Sequence, residues 1–295
     1  MSSVTFERIQ ADGVDVFYRA AGKPESPTLL LLHGFPSSSF QFRTLLPLLA
    51  ADYRVLAPDL PGFGFTDVPA ERQYAYTFDG LSKTVEAFVD ALGLTKFALY
   101  VFDYGAPTGL RLALRHPDRV TAIITQNGNA YAEGLASPFW APLRAYWALP
   151  AFSATAPEAA ALDAVFTLAT TRWQYTDGVP GALLPRVDPA AYTLDALLLA
   201  RAGQRETQLA LCYDYGTNPG LYPAFQAYFR ESGVPVLVMW GANDAIFPKA
   251  GAEAYARDVR DVVLRFVDTG HFALETHVEE FAREIRAFLS TRVGA

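Results

Sequence analysis

With a single cysteine in 295 residues, Cys212, the chain has no partner for an internal disulfide. Its four histidines and the lack of any C-x-x-C pair or Cys/His cluster argue against a metal site. Cations are in the minority, 24 Lys and Arg against 31 Asp and Glu, and they form no run. A formal charge of −7 lacks the basic footprint of a nucleic-acid binder. No stretch of about 18 apolar residues is present to span a bilayer. The N-terminal ten residues carry Glu7 and Arg8 where a signal peptide needs an apolar core, so a cytoplasmic protein is expected. There is no Gly-rich phosphate loop, and no cofactor is implied. Composition is otherwise that of a globular chain, 51% hydrophobic and 19% charged, which excludes global disorder. What the chain has in quantity is aromatic side chains: 15 Tyr, 21 Phe and 4 Trp.

Strand-like and helix-like signals alternate along the first 130 residues. Val4–Gln10 and Val14–Ala20 flank the turn Ala11-Asp12-Gly13 and read as a hairpin. Thr28–Leu32 is a short apolar run followed by Gly and Pro, suited to a strand covered on both faces. Tyr53–Ala57 reads as another strand, and Gly80–Leu92 has helical spacing. Phe97–Phe102, Gly105–Arg115 and Val120–Thr125 read as strand, helix and strand. Such alternation implies parallel pairing through right-handed crossovers, a layered α/β sheet. From about 131 to 230 the chain turns Ala-, Tyr- and Pro-rich and helical. Sheet grammar then resumes with Val236–Trp240, a helix over Ala250–Asp258, Val262–Val267 and a closing helix over Val278–Leu289. The expected organisation is a sheet domain, 1–130 and 231–295, interrupted by a helical domain, 131–230. An insertion of that length is suspected of function.

In Val101-Phe102-Asp103-Tyr104-Gly105-Ala106 a polar residue stands at a strand-to-helix turn with Gly two positions later. This is the pattern of a nucleophile elbow, whose strained tip raises its side chain above the sheet. An aspartate there also suits a helix N-cap, and the turn by itself leaves that reading open. Asp244, in Trp240-Gly241-Ala242-Asn243-Asp244, and His271, in Asp268-Thr269-Gly270-His271-Phe272, each follow a predicted strand. Loops at the carboxyl ends of parallel strands share one edge, so Asp103, Asp244 and His271 are expected to converge there. Of the other histidines, His116 and His277 sit at helix ends and His33 opens the turn His33-Gly34-Phe35-Pro36. That turn can aim the Phe35 N–H at the same point as the Tyr104 N–H, which would make an oxyanion hole.

These residues, with Asp59-Leu60-Pro61-Gly62-Phe63-Gly64, resemble the α/β-hydrolase superfamily over nearly the whole chain. The aspartate tip resembles the branch that holds epoxide hydrolases and haloalkane or haloacetate dehalogenases. The resemblance implies a mostly parallel twisted sheet flanked by helices, with a helical cap inserted before the last two strands. It implies Asp103 as nucleophile, Asp244 and His271 as its acid and base, and no cofactor. Two details depart from the branch. Tyr104 stands where haloalkane dehalogenases usually have Trp and haloacetate dehalogenases Arg, and Phe35 stands where haloalkane dehalogenases usually have Asn.

An ionised carboxylate needs no base to attack. At a carbonyl it would form an anhydride-like adduct that the leaving group reverses, whereas at saturated carbon it gives a stable alkyl ester. The implied substrate is a small apolar or aromatic molecule, with water as co-substrate and an epoxide oxygen or a halide as leaving group. In epoxide hydrolases two cap tyrosines protonate the ring oxygen, and Tyr175 and Tyr215 fall about where those would be. Trp173, Trp140 and Trp147 offer N–H groups for a halide, and Gln126-Asn127-Gly128-Asn129 further amides. Tyrosine abundance favours epoxide hydrolysis to a diol, with dehalogenation as the alternative. A serine esterase is disfavoured, since G-x-S-x-G is missing and Ser37–Ser39 lie in the wrong loop. A non-catalytic ligand-binding homologue is a further alternative, because the fold does not dictate turnover.

Overall fold

Apolar runs too short for a helix and stopped by Gly or Pro become the interior strands of an eight-stranded sheet. The computed structural model describes residues 3–292. The extremes of the two expected sheet-domain spans, 1–2 and 293–295, and the start of the N-terminal stretch judged against a signal peptide lie outside the described residues. The strands are β1 (Thr5–Ala11), β2 (Val14–Ala21), β3 (Thr28–Leu32), β4 (Arg54–Pro58), β5 (Phe97–Phe102), β6 (Val120–Gln126), β7 (Val236–Gly241) and β8 (Val262–Val267). They lie in the order β1-β2-β4-β3-β5-β6-β7-β8. β2 pairs antiparallel with β1 and β4, and every other pair is parallel.

Helices α1 (Leu45–Leu49), α2 (Phe78–Ala91) and α3 (Gly105–Arg115) connect the first strands. Between β6 and β7 the chain leaves the sheet for α4 (Ala141–Trp147), α5 (Pro157–Ala161), α6 (Leu168–Thr176), α7 (Pro189–Leu199), α8 (Gln204–Asp214) and α9 (Asn218–Ser232). α10 (Lys249–Glu253) and α11 (Leu274–Arg292) complete the described chain. No described helix is long and apolar enough to cross a membrane.

Two elements differ from expectation by more than two residues. The helix expected over Ala250–Asp258 divides into α10 and a 3-10 turn, Ala254–Arg257, in a stretch whose alanines carry no sharp period. The closing helix starts at Leu274 rather than Val278 and breaks at His277 (φ −129°). Its first turn anchors through Leu274 alone among large apolar residues, too little to register as periodicity.

Alternate residues of the central strands feed two apolar layers, the period-two consequence of the pleat. Leu30, Leu32, Leu99 and Val101 enter one layer and Leu29, Leu31, Tyr100 and Phe102 the other. Each such fully buried side chain contributes about 1.5–3 kcal/mol. That rigid layer carries the loops at the sheet's carboxyl edge. Asp59, fully buried just beyond β4, ties two of them together: its carboxylate accepts the N–H of Ser39 and of Phe65, each at 2.7 Å. Asp59→Ala leaves both donors without a partner and is expected to cost about 2–4 kcal/mol. A urea midpoint shifted by less than about 0.5 kcal/mol equivalent, at unchanged m-value, would contradict this.

Candidate active site

Strand register brings the loops together. Leu32 of β3 pairs with Val101 of β5, Phe102 with Gln126 of β6, Gln126 with Met239 of β7, and Gly241 with Val267 of β8. Residues a few positions past each strand end therefore meet at one edge. Asp103 occupies the turn between β5 and α3 with φ +46°, a left-handed conformation unusual for a non-glycine residue. The N-cap of α3 is Tyr104, with no side-chain capping bond, so the aspartate is not the helix cap. Its Oδ1 accepts the Phe35 N–H at 2.7 Å, and the Tyr104 N–H also reaches the carboxylate. Glycine is required on two sides of this turn. A Cβ on Gly34 would stand 2.4 Å from Asp103 Oδ1, and one on Gly105 would stand 2.2 Å from the Leu32 carbonyl oxygen.

His271 follows β8 and is 3% exposed. Its Nδ1–H donates to Asp244 Oδ2 at 2.7 Å, the tautomer assigned because a carboxylate only accepts. The same oxygen accepts Asn127 Nδ2 at 2.7 Å, and Asp244 Oδ1 accepts the Ile246 N–H at 2.7 Å. Asn127 sits at φ +43° past β6, and its Oδ1 accepts the Gly241 N–H at 2.9 Å. The free His271 Nε2 lies 4.0 Å from Asp103 Oδ2 and has no hydrogen-bond partner. Phe102, at 4.5 Å between ring centroids, and Phe247, at 5.8 Å, flank the imidazole.

Burial pushes the Asp103 carboxyl up, while His271 and the Phe35 and Tyr104 amides pull it down; the balance is about 6. For His271, burial acts downward, but the charge and hydrogen bond of Asp244, with Asp103 adding, hold its pKa above the ordinary value. The other buried histidine has a different task. Burial lowers the pKa of His33, which accepts the Leu60 N–H on Nε2 at 2.9 Å and donates from Nδ1 to the Gly34 carbonyl at 3.0 Å. It pins the turn that carries Phe35.

Beside Asp103 lies a small cavity of about 20 Å³, walled by Phe35, Tyr104, Phe139, Trp140, Leu143, Val165 and Ile246, with Gln174 and Cys212. Tyr175, Tyr215 and Trp173, expected from the sequence as leaving-group donors, are not in this wall. The Tyr175 hydroxyl donates to Asp195 Oδ2 at 2.6 Å and its ring stacks on Phe272 at 3.7 Å. The Tyr215 hydroxyl bonds to that of Tyr222, and its ring stacks on Trp147 at 5.6 Å. Trp173 lies parallel to Phe139 at 6.1 Å, behind the cavity wall. The physical reason is common to the two tyrosines: a hydroxyl in an apolar interior takes the nearest polar partner, and sequence position does not say which one that is.

The other expected amide donors are committed as well. The Trp140 indole donates to the Ile246 carbonyl at 2.8 Å and that of Trp147 to the Cys212 carbonyl at 2.6 Å. Asn127 serves Asp244, and Asn129 donates to the Tyr131 carbonyl and to Tyr222. Two polar residues of this cavity were not among the site residues expected from sequence. Gln174 stands between Trp173 and Tyr175, both of which were, and only the helix phase separates it from them. Cys212 places its sulfur 3.6 Å from the Tyr104 hydroxyl. Among the described residues no group of three or more His, Cys, Asp or Glu side chains is arranged to hold a metal ion.

A sheet of this order with a helical excursion and an elbow aspartate defines a class of hydrolases, and comparison with known proteins agrees. The model of the alpha/beta hydrolase fold matches residues 27–278, and the chain belongs to that family, in the branch with haloalkane dehalogenase and epoxide hydrolase relatives. It is 51% identical over 290 residues, 95% of each chain, to an uncharacterized hydrolase of Saccharomyces cerevisiae. It is 29% identical over 259 residues to human epoxide hydrolase 4, covering 84% of this chain and 67% of the relative. A haloalkane dehalogenase of Mycobacterium marinum is 41% identical over 112 residues, 38% of this chain and 37% of that one. The solved haloalkane dehalogenase DbeA of Bradyrhizobium elkani superposes with a TM-score of 0.77 at 21% identity, covering 99% of each chain, a likeness of fold.

Proposed function

We propose that this hydrolase acts at saturated carbon through an alkyl ester on Asp103, and that its substrates are epoxides. The observation that carries the reading is the unequal setting of the two Asp103 oxygens: Oδ1 is held by the Phe35 N–H at 2.7 Å, while Oδ2 faces His271 Nε2 at 4.0 Å. Oδ2 is therefore the attacking oxygen. It bonds to a ring carbon, the C–O bond breaks, and the epoxide oxygen takes the electron pair and a proton. The Tyr104 hydroxyl, whose neighbour in the cavity wall is a weakly accepting thiol 3.6 Å away, is the proposed source of that proton.

In the second half-reaction His271, held by Asp244, takes a proton from water. The hydroxide equivalent attacks the Asp103 carboxyl carbon, and negative charge collects on Oδ1, already held by the Phe35 N–H, with the Tyr104 N–H beside the same carboxyl group. Collapse breaks the bond from that carbon to Oδ2, the diol oxygen takes the proton from His271, and the remaining proton returns to Tyr104. Residues 131–230 act in this reading as the cap that closes the cavity against bulk water.

Dehalogenation is the second reading, favoured by the 41% identity to the Mycobacterium marinum dehalogenase over 112 residues. Products separate the two. Styrene oxide is expected to give the diol while 1-bromobutane releases no bromide; the reverse would establish the second reading. One turnover in ¹⁸O-water is expected to leave the label in Asp103 and not in the diol. Label in the first-turnover diol would mean direct attack by water and would overturn the ester.

A further inference from the structure

The cavity beside Asp103 contains one amide with nothing to bind. Gln174 on α6 lines it together with Asp103, Phe35 and Trp140. The side chain is 2% exposed, and its Nε2 meets no hydrogen-bond partner. Buried N–H groups without an acceptor are uncommon, because they lose water and receive nothing in return. Gln41 and Asn218 have unpartnered amide nitrogens too, but neither lines this cavity. The polar groups around Gln174 are already committed: the Trp140 N–H to Ile246 and the Tyr175 hydroxyl to Asp195. An otherwise aromatic and aliphatic wall, with this amide beside the Tyr104 hydroxyl and the Cys212 thiol, suits an apolar molecule bearing one oxygen acceptor.

Resting on the alkyl-ester reading, we infer that Gln174 Nε2–H donates to the substrate oxygen that leaves the attacked carbon, and so selects compact apolar molecules with a single oxygen acceptor at that carbon. The bond from Asp103 Oδ2 to carbon forms as the carbon–oxygen bond breaks, and the electron pair moves onto the oxygen that Gln174 holds. An amide donates without giving up its proton, so Gln174 orients and stabilises that oxygen while the proton comes from the Tyr104 hydroxyl. The role that the family resemblance gives to two cap tyrosines falls here to one amide and the phenol beside the nucleophile.

Two substitutions test this in a His271→Gln background, where Asp103 alkylation by styrene oxide is followed by intact mass. Gln174→Met keeps the size and loses the donor; it is expected to slow alkylation at least 30-fold with an unchanged melting temperature. Gln174→Glu donates only when protonated, so its alkylation rate is expected to rise between pH 9 and 7, where the parent is flat. A second arm needs no chemistry. Binding of 1-phenylethanol to the His271-intact enzyme, read by tryptophan fluorescence, is expected to weaken at least tenfold in Gln174→Met, and that of ethylbenzene by no more than twofold.

Alkylation within threefold of the parent, or equal losses for the alcohol and the hydrocarbon, would overturn the inference. If no probe forms an ester in any variant, the Asp103 reading falls by itself and the paired binding measurement decides Gln174. Should Gln174→Met fail to fold, Gln174→Asn, which draws the N–H back by one methylene, must reproduce the alcohol-over-hydrocarbon loss.

Discussion

Replacing His271 with Gln is expected to stop the enzyme halfway, with one substrate equivalent bound covalently to the peptide that contains Asp103. The carboxylate needs no base for its own attack, because with a pKa of about 6 it is ionised at neutral pH. Ester formation should therefore survive, and its rate should fall about tenfold per pH unit below 6 as Asp103 protonates. Hydrolysis of the ester does need a base, and His271 Nε2 is unpartnered and stands 4.0 Å from Asp103 Oδ2. Loss of general-base assistance lowers steady-state turnover by on the order of 10²–10⁴. Asp103→Ala removes the first half-reaction as well and should show neither adduct nor product. Mass spectrometry after manual mixing gives the answer: a His271→Gln enzyme that slows with no adduct would remove the ester from the scheme.

Asp244→Asn should be nearly as damaging, by a different route. Asp244 Oδ2 receives His271 and Asn127, and Oδ1 receives the Ile246 N–H. Either orientation of an asparagine amide sets its NH₂ against one of these donors, costing about 1–3 kcal/mol of stability. With its NH₂ toward Nδ1, it also favours the imidazole tautomer that has a proton on Nε2, which is useless as a base. A fall in ester hydrolysis of about 10⁴ is expected, the size found when a triad aspartate elsewhere becomes asparagine.

The accompanying pH effect has a definite sign. Asp244 is the main upward influence on the His271 pKa, opposing burial, so its loss moves that pKa down. Alkylation of Asp103 acts in the same direction, because the Asp103 charge also raises it. In the wild-type ester state the imidazole is thus a neutral base to lower pH than in the resting enzyme. The acid limb of ester hydrolysis should accordingly lie below the His271 pKa measured by NMR in the free protein, and lower still in Asp244→Asn. An acid limb at or above the free-enzyme value would contradict the arrangement.

The parts legible in the sequence were those that follow from local pattern plus chain order. Thr28–Leu32 and Phe97–Phe102 have the expected bounds, since short continuous apolar runs have few other uses, and the bounds of Gly105–Arg115 and Val262–Val267 match as well. Parallel order then obliges Asp103, Asp244 and His271 to gather, because the loops after β5, β7 and β8 share an edge whatever lies between them. Tyr175, Tyr215 and Trp173 were the opposite case. Helices α6 and α8, with the turn that follows α8, supply these residues, and neither helix has a sharp apolar stripe to fix which face turns inward. A one-residue change of phase, about 100° of rotation, exchanges Tyr175 for Gln174.

Sequence alone determined the sheet, the edge where Asp103, Asp244 and His271 meet and the acidic residue at the turn after β5, because strand pairing and turn sterics act over a few residues. Tertiary structure decided which Asp103 oxygen is free, that Asn127 steadies Asp244, and that a glutamine rather than a tyrosine borders the cavity from α6. Those outcomes depend on which buried donor finds which acceptor across 20 to 117 residues of chain, a competition that only the packed interior resolves.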